Sequence, residues 1–533
     1  MRTMSRKYLA WMGAISGVLV LAPVWAGDWP QWGRNQTRNM VSSEGPITSE
    51  FAPGSLRGRQ EQIDPDTTRN IKWVVKLGSQ TYGNPTVGGG RVLIGTNNES
   101  PLDPKYKGDR ANLYCLDEQT GDLVWQLSLP KLGSGKVGDW EFLGICSSAS
   151  IIGNRVYVVT NLCEVICLDL LGMSNGNDGP FTDEAKYYVG STISRSISGG
   201  ATKDPVQLGD TDADVIWRFD MRNELGVFPH NITSSSPLVV DGAVYASTSN
   251  GVDWSHVDVP NKKAPCLIKL DAETGQLLGE EVSGIGERIL HCNWSSPAFG
   301  RVGAQEMILF AAGDGFMYSF NPRPVTLPDE FGDDYPVLEE WWRSDGVPAE
   351  YRFSGGKPIR YATAKGPSEF IATPVFYKDR VYAAIGQDPE HGEGVGSFNC
   401  FDATIGNEKM AGVDRILWQY KQINRSISTC SIVDDLVYIA DYAGIIHCLD
   451  ANTGEAYWTY DTFGHIWGST LVVGDRVYVG NEDGILTVLA AGKQKTLLAE
   501  IEFPGAIYSS PIVANGVLYV ATQKHLFAIT DTP

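Results

Sequence analysis

A twelve-residue pattern that recurs along the chain constrains its fold more than any other feature. Ser234-Ser-Ser-Pro-Leu-Val-Val-Asp-Gly-Ala-Val-Tyr245 is matched by Tyr508-Ser-Ser-Pro-Ile-Val-Ala-Asn-Gly-Val-Leu-Tyr519, and its opening by Trp294-Ser-Ser-Pro297. Each copy reads as a short strand, a tight turn carrying Asp, Asn or Gly, and a second strand with β-branched and aromatic residues. A third strand ends on aspartate and enters a turn such as Asp117-Glu-Gln-Thr-Gly121 or Asp450-Ala-Asn-Thr-Gly454. A fourth strand then carries tryptophan: Trp125, Trp217, Trp341 or Trp342, Trp418 and Trp458. Aligned on the second strand, the units fall at Val92, Val156, Val244, Met307, Val381, Val437, Val477 and Leu518. The closest spacings, 40 and 41 residues, suit a four-stranded blade, and longer ones are the same unit with loop insertions. The expectation is an all-β, eight-bladed β-propeller of four-stranded antiparallel blades, a ring that protects strand edges.

Closure is legible too. The last unit ends near Thr530 after three strands, whereas Ile71-Lys-Trp-Val-Val-Lys-Leu77 precedes the first with Trp73 in the fourth-strand position. The N-terminal strand is expected to complete the last blade. This divides the chain into 1–26, an N-terminal extension over 27–70, and the propeller over 71–533 with an insertion at about 170–214. Residues 1–26 read as a signal peptide: Arg2, Arg6 and Lys7 precede an apolar run that ends in Val24-Trp25-Ala26. No other stretch is long and apolar enough to span a bilayer. The mature protein is expected to be exported, periplasmic or extracellular, and monomeric.

A net charge of −20 without a basic stripe excludes nucleic acid as a partner. Of nine cysteines, Cys115, Cys167, Cys400 and Cys448 each stand two residues before an aspartate, at one repeat position. Equivalent points on facing sheets lie about 10 Å apart, too far for a disulfide, so these four are expected as buried small residues. The other five are left for one or two bridges. No Cys-x-x-Cys-His, Gly-x-Ser-x-Gly, His-Glu-x-x-His or phosphate-binding loop is present.

Blade-to-blade loops share one face, here the upper, with the connections between second and third strands. Six of the seven histidines map to it. Where first strands enter the channel, aligned positions give Tyr82, Trp294, Trp467 and Tyr508. With Trp140, His230, Asn231, His291, Asn293, Arg360, Arg425 and His465 they form the candidate ligand-binding set, since aromatic faces beside Arg, His, Asn and Glu can hold a planar anionic ligand by stacking and charge-assisted hydrogen bonds. Glu141 and Asp139 are the nearest candidate catalytic carboxylates. The insertion is placed on the lower face and offers Asn175, Asn177, Asp178, Asp183 and Glu184 as candidate calcium ligands, although the EF-hand spacing is not met.

The Asp-x-x-Thr-Gly turn followed by a fourth-strand tryptophan resembles the tryptophan-docking repeat of pyrroloquinoline-quinone (PQQ) dehydrogenases, and equally that of BamB-like assembly factors. The resemblance covers about Ile71 to Thr530, and Asp28-Trp-Pro-Gln-Trp32 is similar to the start of mature bacterial proteins of this class. It implies that Trp73, Asp117, Trp125, Trp217, Trp418, Asp450 and Trp458 lock blade to blade. For function it implies a non-catalytic scaffold that presents upper-face loops to an envelope protein or a small ligand. The alternatives are a PQQ- and calcium-dependent dehydrogenase of alcohols or sugars, and a carbohydrate-binding propeller. The adjacent-cysteine pair typical of the dehydrogenases is absent.

Overall fold

The computed structural model describes residues 27–45, 47–59, 61–190, 205–328, 332–404 and 414–531; the expected signal peptide lies outside them. Eight antiparallel blades of four strands are arranged as the repeat predicts, and two of them carry additions: Val325–Pro328 and Asp334–Leu338 extend the sheet of 238–281, and Val41–Ser42 that of 471–502. Blade 1 runs from the axis outward as Thr86–Gly88, Arg91–Asn97, Arg110–Asp117 and Leu123–Pro130. Blades 2 to 7 follow within 150–220, 238–281, 298–345, 375–420, 431–461 and 471–502. Blade 8 takes three strands from 512–529 and its fourth from Ile71–Lys76, which pairs antiparallel with His525–Ile529. The closing strand is where the sequence places it.

One irregularity recurs in all eight blades: the register between third and fourth strands shifts at the equivalent residue. A bulge there increases the local twist and re-aims the neighbouring side chain. The residue opposite that side chain is Cys115, Cys167, Cys400 or Cys448 in four blades, paired with Trp125, Trp217, Trp418 and Trp458 respectively. The aligned cysteines are therefore the small buried partners of the docking tryptophans. All nine cysteines are free thiols, which corrects the expectation of one or two disulfides: Cys163, Cys266, Cys292 and Cys430 are buried within the packing, and Cys146 is partly covered at the channel.

Each docking indole reaches the next blade. Trp73, Trp125, Trp217, Trp418 and Trp458 donate Nε1–H to the carbonyls of Glu118, Leu170, Ala272, Ala451 and Gly492 at 2.9–3.2 Å. Their rings lie over Gly121, Gly172, Gly275 and Gly454 so closely that a methyl group there would meet ring atoms at 2.5–2.8 Å. These glycines also have positive φ, so both sterics and backbone require them. Trp342 fills this position in blade 4, beneath the Arg415 guanidinium. The aspartates shape the receiving turns: Asp117 and Asp450 each accept two backbone N–H groups of the following residues.

The stretch from Gly27 to Ser42 makes one circuit of the lower channel mouth. Its carbonyls at Gly27, Trp29, Pro30, Gln36, Thr37 and Met40 accept N–H groups from Asn515, Val87, Ile151, Phe299, Phe376 and Val472, in blades 8, 1, 2, 4, 5 and 7. The Gln36 amide reaches Val239 of blade 3, and the Asn39 side chain exchanges two hydrogen bonds with Ile432 of blade 6. Val41–Ser42 then runs parallel to the inner strand of blade 7. Inside this circuit Arg38 is fully buried, its guanidinium on the carbonyls of Trp32, Ser236, Pro237 and Pro297. Burial without a carboxylate partner lowers its pKa to about 9.

The 170–214 insertion departs from its expected place. It leaves the lower end of blade 2 but climbs the outer wall: Tyr187 donates to Glu164 at the upper end of the third strand, and the Tyr188 carbonyl accepts from Arg110 at the top of blade 1. On return, residues 211–213 exchange backbone bonds with Gln126, so the insertion is wedged between the outer strands of blades 1 and 2. Apolar burial by Tyr187, Tyr188 and Ala213 explains why it does not stay in the lower loops.

Replacing Trp73 by alanine removes a buried aromatic and its hydrogen bond at the closing seam. The expected cost is about 3–5 kcal/mol, read as a lower denaturation midpoint with hydrogen exchange rising first at 525–529. Trp125→Ala should lose comparable stability without loosening those amides.

Candidate functional site

Closed below, the channel becomes a cup. It has a volume of about 590 Å³, and Trp32 of the N-terminal circuit stands in its floor. At the top of the inner strands one residue per blade carries a hydroxyl or amide: Asn84, Ser148, Ser236, Ser296, Thr373, Thr429, Ser469 and Ser510. Backbone N–H groups pass from blade to blade into these side chains, Ser148 to Ser236 to Ser296, and Thr429 to Ser469 to Ser510 to Asn84, at 2.6–2.9 Å. Trp32 Nε1 joins the ring by donating to Thr373 Oγ1 at 3.1 Å. The polar girdle thus spends much of its capacity on holding the ring.

Above it the wall is aromatic. Tyr82 stacks on Tyr508 with centroids 5.0 Å apart, and both pack against Trp467 at 5.7 and 5.1 Å. Blades 7, 8 and 1 meet here because the ring closes. Trp467 is oriented by Nε1–H donation to Glu482 at 3.1 Å. Trp294 lines the opposite side, held through Nε1 by the carbonyls of His230 and Ile232, and Trp140 carries the Lys136 ammonium 4.1 Å from its ring centroid. Among the described residues lining the cup the ionisable side chains include Glu141, Asp388 and Glu390, and none is Lys or Arg.

Of the sequence-derived set, Tyr82, Trp140, Asn231, Trp294, Trp467, Tyr508 and Glu141 line the cup. Asn293 is buried in backbone contacts to Asn250 and Gly313, and Asp139 is buried on Lys131, Asn161 and the Leu132 N–H. Arg425 is consumed by carbonyls of Thr363, His391 and Gly392, while Arg360 is exposed. In the insertion, the Asn175 and Asn177 amides donate to Asp178 and Glu184, and Asp183 pairs with Lys186, while Glu184 Oε1 is buried without a hydrogen-bond partner. Trp32, Asp388 and Glu390 line the cup without having been singled out as site residues; the sequence signal was the Asp28–Trp32 segment for the first and the lengthened upper connection at 387–396 in blade 5 for the other two.

Histidines concentrate beside the cup. His230 and His291 are buried, from the loops entering blades 3 and 4, and meet exposed His256 from the upper loop of blade 3. One ring nitrogen from each lies within 4.8 Å of the other two. The His391 ring is 5.2 Å from that of His291, and Glu369 lies 4.0 Å from His291 Nδ1. Burial first, then mutual repulsion, lowers the pKa of His291 to about 2; burial lowers that of His230 to about 4. His465 differs: it stacks on Tyr442 and bonds Glu482 at 2.6 Å and Glu393 at 3.4 Å.

The ring and its docked blades define a closed tryptophan-docked propeller with an axial cup. The chain belongs to the family described as outer membrane protein assembly factor BamB, whose model matches residues 57–281 and 412–498. Over 550 aligned residues it is 23% identical to the quinoprotein alcohol dehydrogenase PedH of Pseudomonas putida, covering 95% of this chain and 82% of that protein. In solved structures the same fold occurs in BamB from Moraxella catarrhalis, at 12% identity and a TM-score of 0.50 over 87% of this chain and 97% of that one. A europium-containing methanol dehydrogenase gives 12% identity and a TM-score of 0.50 over 93% and 89%.

For His465 partial burial opposes the charge, but hydrogen bonding and attraction from Glu482 and Glu393 outweigh it and raise the pKa above the ordinary value. Its stabilising contribution is complete below the unfolded pKa and is lost as pH rises through the folded one. An NMR titration should place His465 above about 6.5, and Glu482→Gln should bring it down.

Proposed function

We propose that this protein is a non-catalytic binding propeller of the bacterial envelope, BamB-like in role, whose upper face receives its ligand. The observation that carries the reading is the cup: sealed below, walled by aromatics and lined by carboxylates with no Lys or Arg among the described residues. Such a lining suits a neutral or cationic group, for example a saccharide ring stacked on Tyr82, Trp294 or Trp467, or a side chain inserted by a protein partner. The surrounding loops expose Phe142, Trp254, Val257 and Phe463, apolar area of the kind a partner covers. Envelope location rests on the expected signal peptide and on the family's description as an outer membrane assembly factor.

PQQ carries three carboxylates and calcium takes six to eight oxygens. Among the described residues lining the cup none is Lys or Arg, Lys136 is engaged on the Trp140 ring, and Arg38 below the floor spends its donors on carbonyls. No group of three carboxylates converges among the described residues. The residues present do not fit that cofactor pair. The dehydrogenase reading is kept as the second one because similarity to a quinoprotein alcohol dehydrogenase extends over 95% of the chain.

Titrating the purified protein with PQQ and Ca²⁺ while following tryptophan fluorescence, with a dye-coupled screen of alcohols and sugars, decides between them. No saturable quenching and no turnover is the expected result. Saturable quenching with turnover, both lost in Trp467→Ala and turnover lost in Glu141→Gln, would establish the dehydrogenase instead.

A further inference from the structure

We propose that His230, His256 and His291 form a binding site for one zinc-class divalent transition-metal ion, beside the cup and distinct from the site inside it. The three rings converge from three loops of the upper face, with one nitrogen of each within 4.8 Å of the others. Tetrahedral zinc with imidazole ligands at 2.0–2.1 Å needs nitrogens about 3.3 Å apart. His256 Nδ1 and His291 Nε2 already face each other at 3.2 Å. His230 is the more distant donor, and His256, exposed on its loop, is the ring free to swing inward.

The hydrogen bonds around the rings fix which nitrogens are available. His230 Nδ1 lies 2.6 Å from the Val252 carbonyl, which only accepts, so Nδ1 carries the proton. Nε2 then holds the lone pair, and this atom is buried without a hydrogen-bond partner. His291 Nδ1 is likewise buried and unpartnered. With Nε2 on a metal, His291 would carry its proton on Nδ1, towards the Glu369 carboxyl 4.0 Å away. Glu369 is itself held by the Tyr361 hydroxyl and the Cys292 N–H, each at 3.1 Å. A ligating histidine backed by a carboxyl group is the usual outer arrangement of a metal site, because it fixes ring and tautomer.

Ligand type selects the metal class. Imidazole nitrogens suit zinc, copper and nickel, whereas calcium and magnesium take oxygens. Neutral imidazoles bind metal without first losing a proton, and burial keeps His230 and His291 neutral. Two backbone positions at the cluster, His256 at φ 55° and Asn231 next to His230 at φ 57°, adopt the left-handed conformation, which non-glycine residues take at a cost. Three protein ligands leave a fourth position for water, and His391 is the nearest further imidazole.

The test uses the full chain without a polyhistidine tag, stripped with chelator and titrated with Zn²⁺ by calorimetry and with Co²⁺ by visible absorption. One equivalent of Zn²⁺ and the intense absorption of tetrahedral Co²⁺ are expected, both unaffected by excess Ca²⁺. His256→Ala, at an exposed side chain that the fold does not need, should weaken Zn²⁺ binding more than about 100-fold, and the near-isosteric Glu369→Gln about 10–100-fold. The proposal is overturned if the wild-type chain takes up no Zn²⁺ at micromolar concentration, or if His256→Ala and His291→Ala bind it undiminished.

Discussion

An indole laid on the glycine of the next blade is the contact on which the rest of this molecule depends. A four-stranded sheet has two open edges and one face too many to bury alone, so a blade is stable only against its neighbours. The tryptophan supplies a large apolar area, its N–H ends on a carbonyl that the turn leaves free, and the glycine lets backbone and ring approach within contact distance. The recurrent bulge aims the ring, and a small residue opposite, cysteine in four blades, leaves space for the turn in register. Trp73 makes the same contact from a strand some 450 positions away from its blade-mates. Long-range closure is expensive in chain entropy, yet it packs the last blade against the first and so covers the two faces an open ring would leave exposed.

Closing the ring creates an axial channel, and the N-terminal circuit turns it into a cup. Its contacts are mostly to main-chain N–H groups at the lower ends of the inner strands, so it caps all eight blades without needing a strand's periodicity. Arg38 is the cost of this arrangement: a buried cation with no carboxylate partner, stabilised by carbonyl dipoles. Its charge lies under the floor, while the rim carries Glu141, Asp388 and Glu390.

The elements legible in the sequence were those whose residues act on near neighbours or at fixed repeat offsets. Blade number, the closing strand, the docking tryptophans and the buried aligned cysteines all belong to that group. The Ser-Ser-Pro repeat was visible as well, but its role as a hydrogen-bonded girdle depends on neighbouring blades sharing an axis. What escaped reading has partners set by the ring alone. The 27–42 circuit has no periodicity because its partners are backbone atoms. Arg38 looks like a surface residue, and the insertion's climb is driven by tyrosines that find their pocket between two blades. Arg425 and Asn293 showed that a polar residue in an upper loop is as readily spent on loop carbonyls as on a ligand, and Arg360 that it can simply face solvent. The histidines are intermediate: their shared face was predictable, but the convergence of residues as far apart as His230 and His391 was not.

The cup and the histidine cluster share Trp294 as a common wall. Its ring contacts His291 edge-to-face at 5.3 Å and His230 at 6.3 Å, while its Nε1 is fixed by the His230 and Ile232 carbonyls and its other surroundings line the cavity. Asn231, next to His230, lines the same cavity and donates to Asp388 on the rim. Any shift of the His230 loop therefore moves a wall residue and a rim carboxylate together. Coupling of this kind needs no long pathway, because the elements are in direct contact. An ion drawing His230 and His256 together would tighten one side of the cup, and a ligand pressing on Trp294 would act back on the same histidines, since linkage between two binding sites is reciprocal.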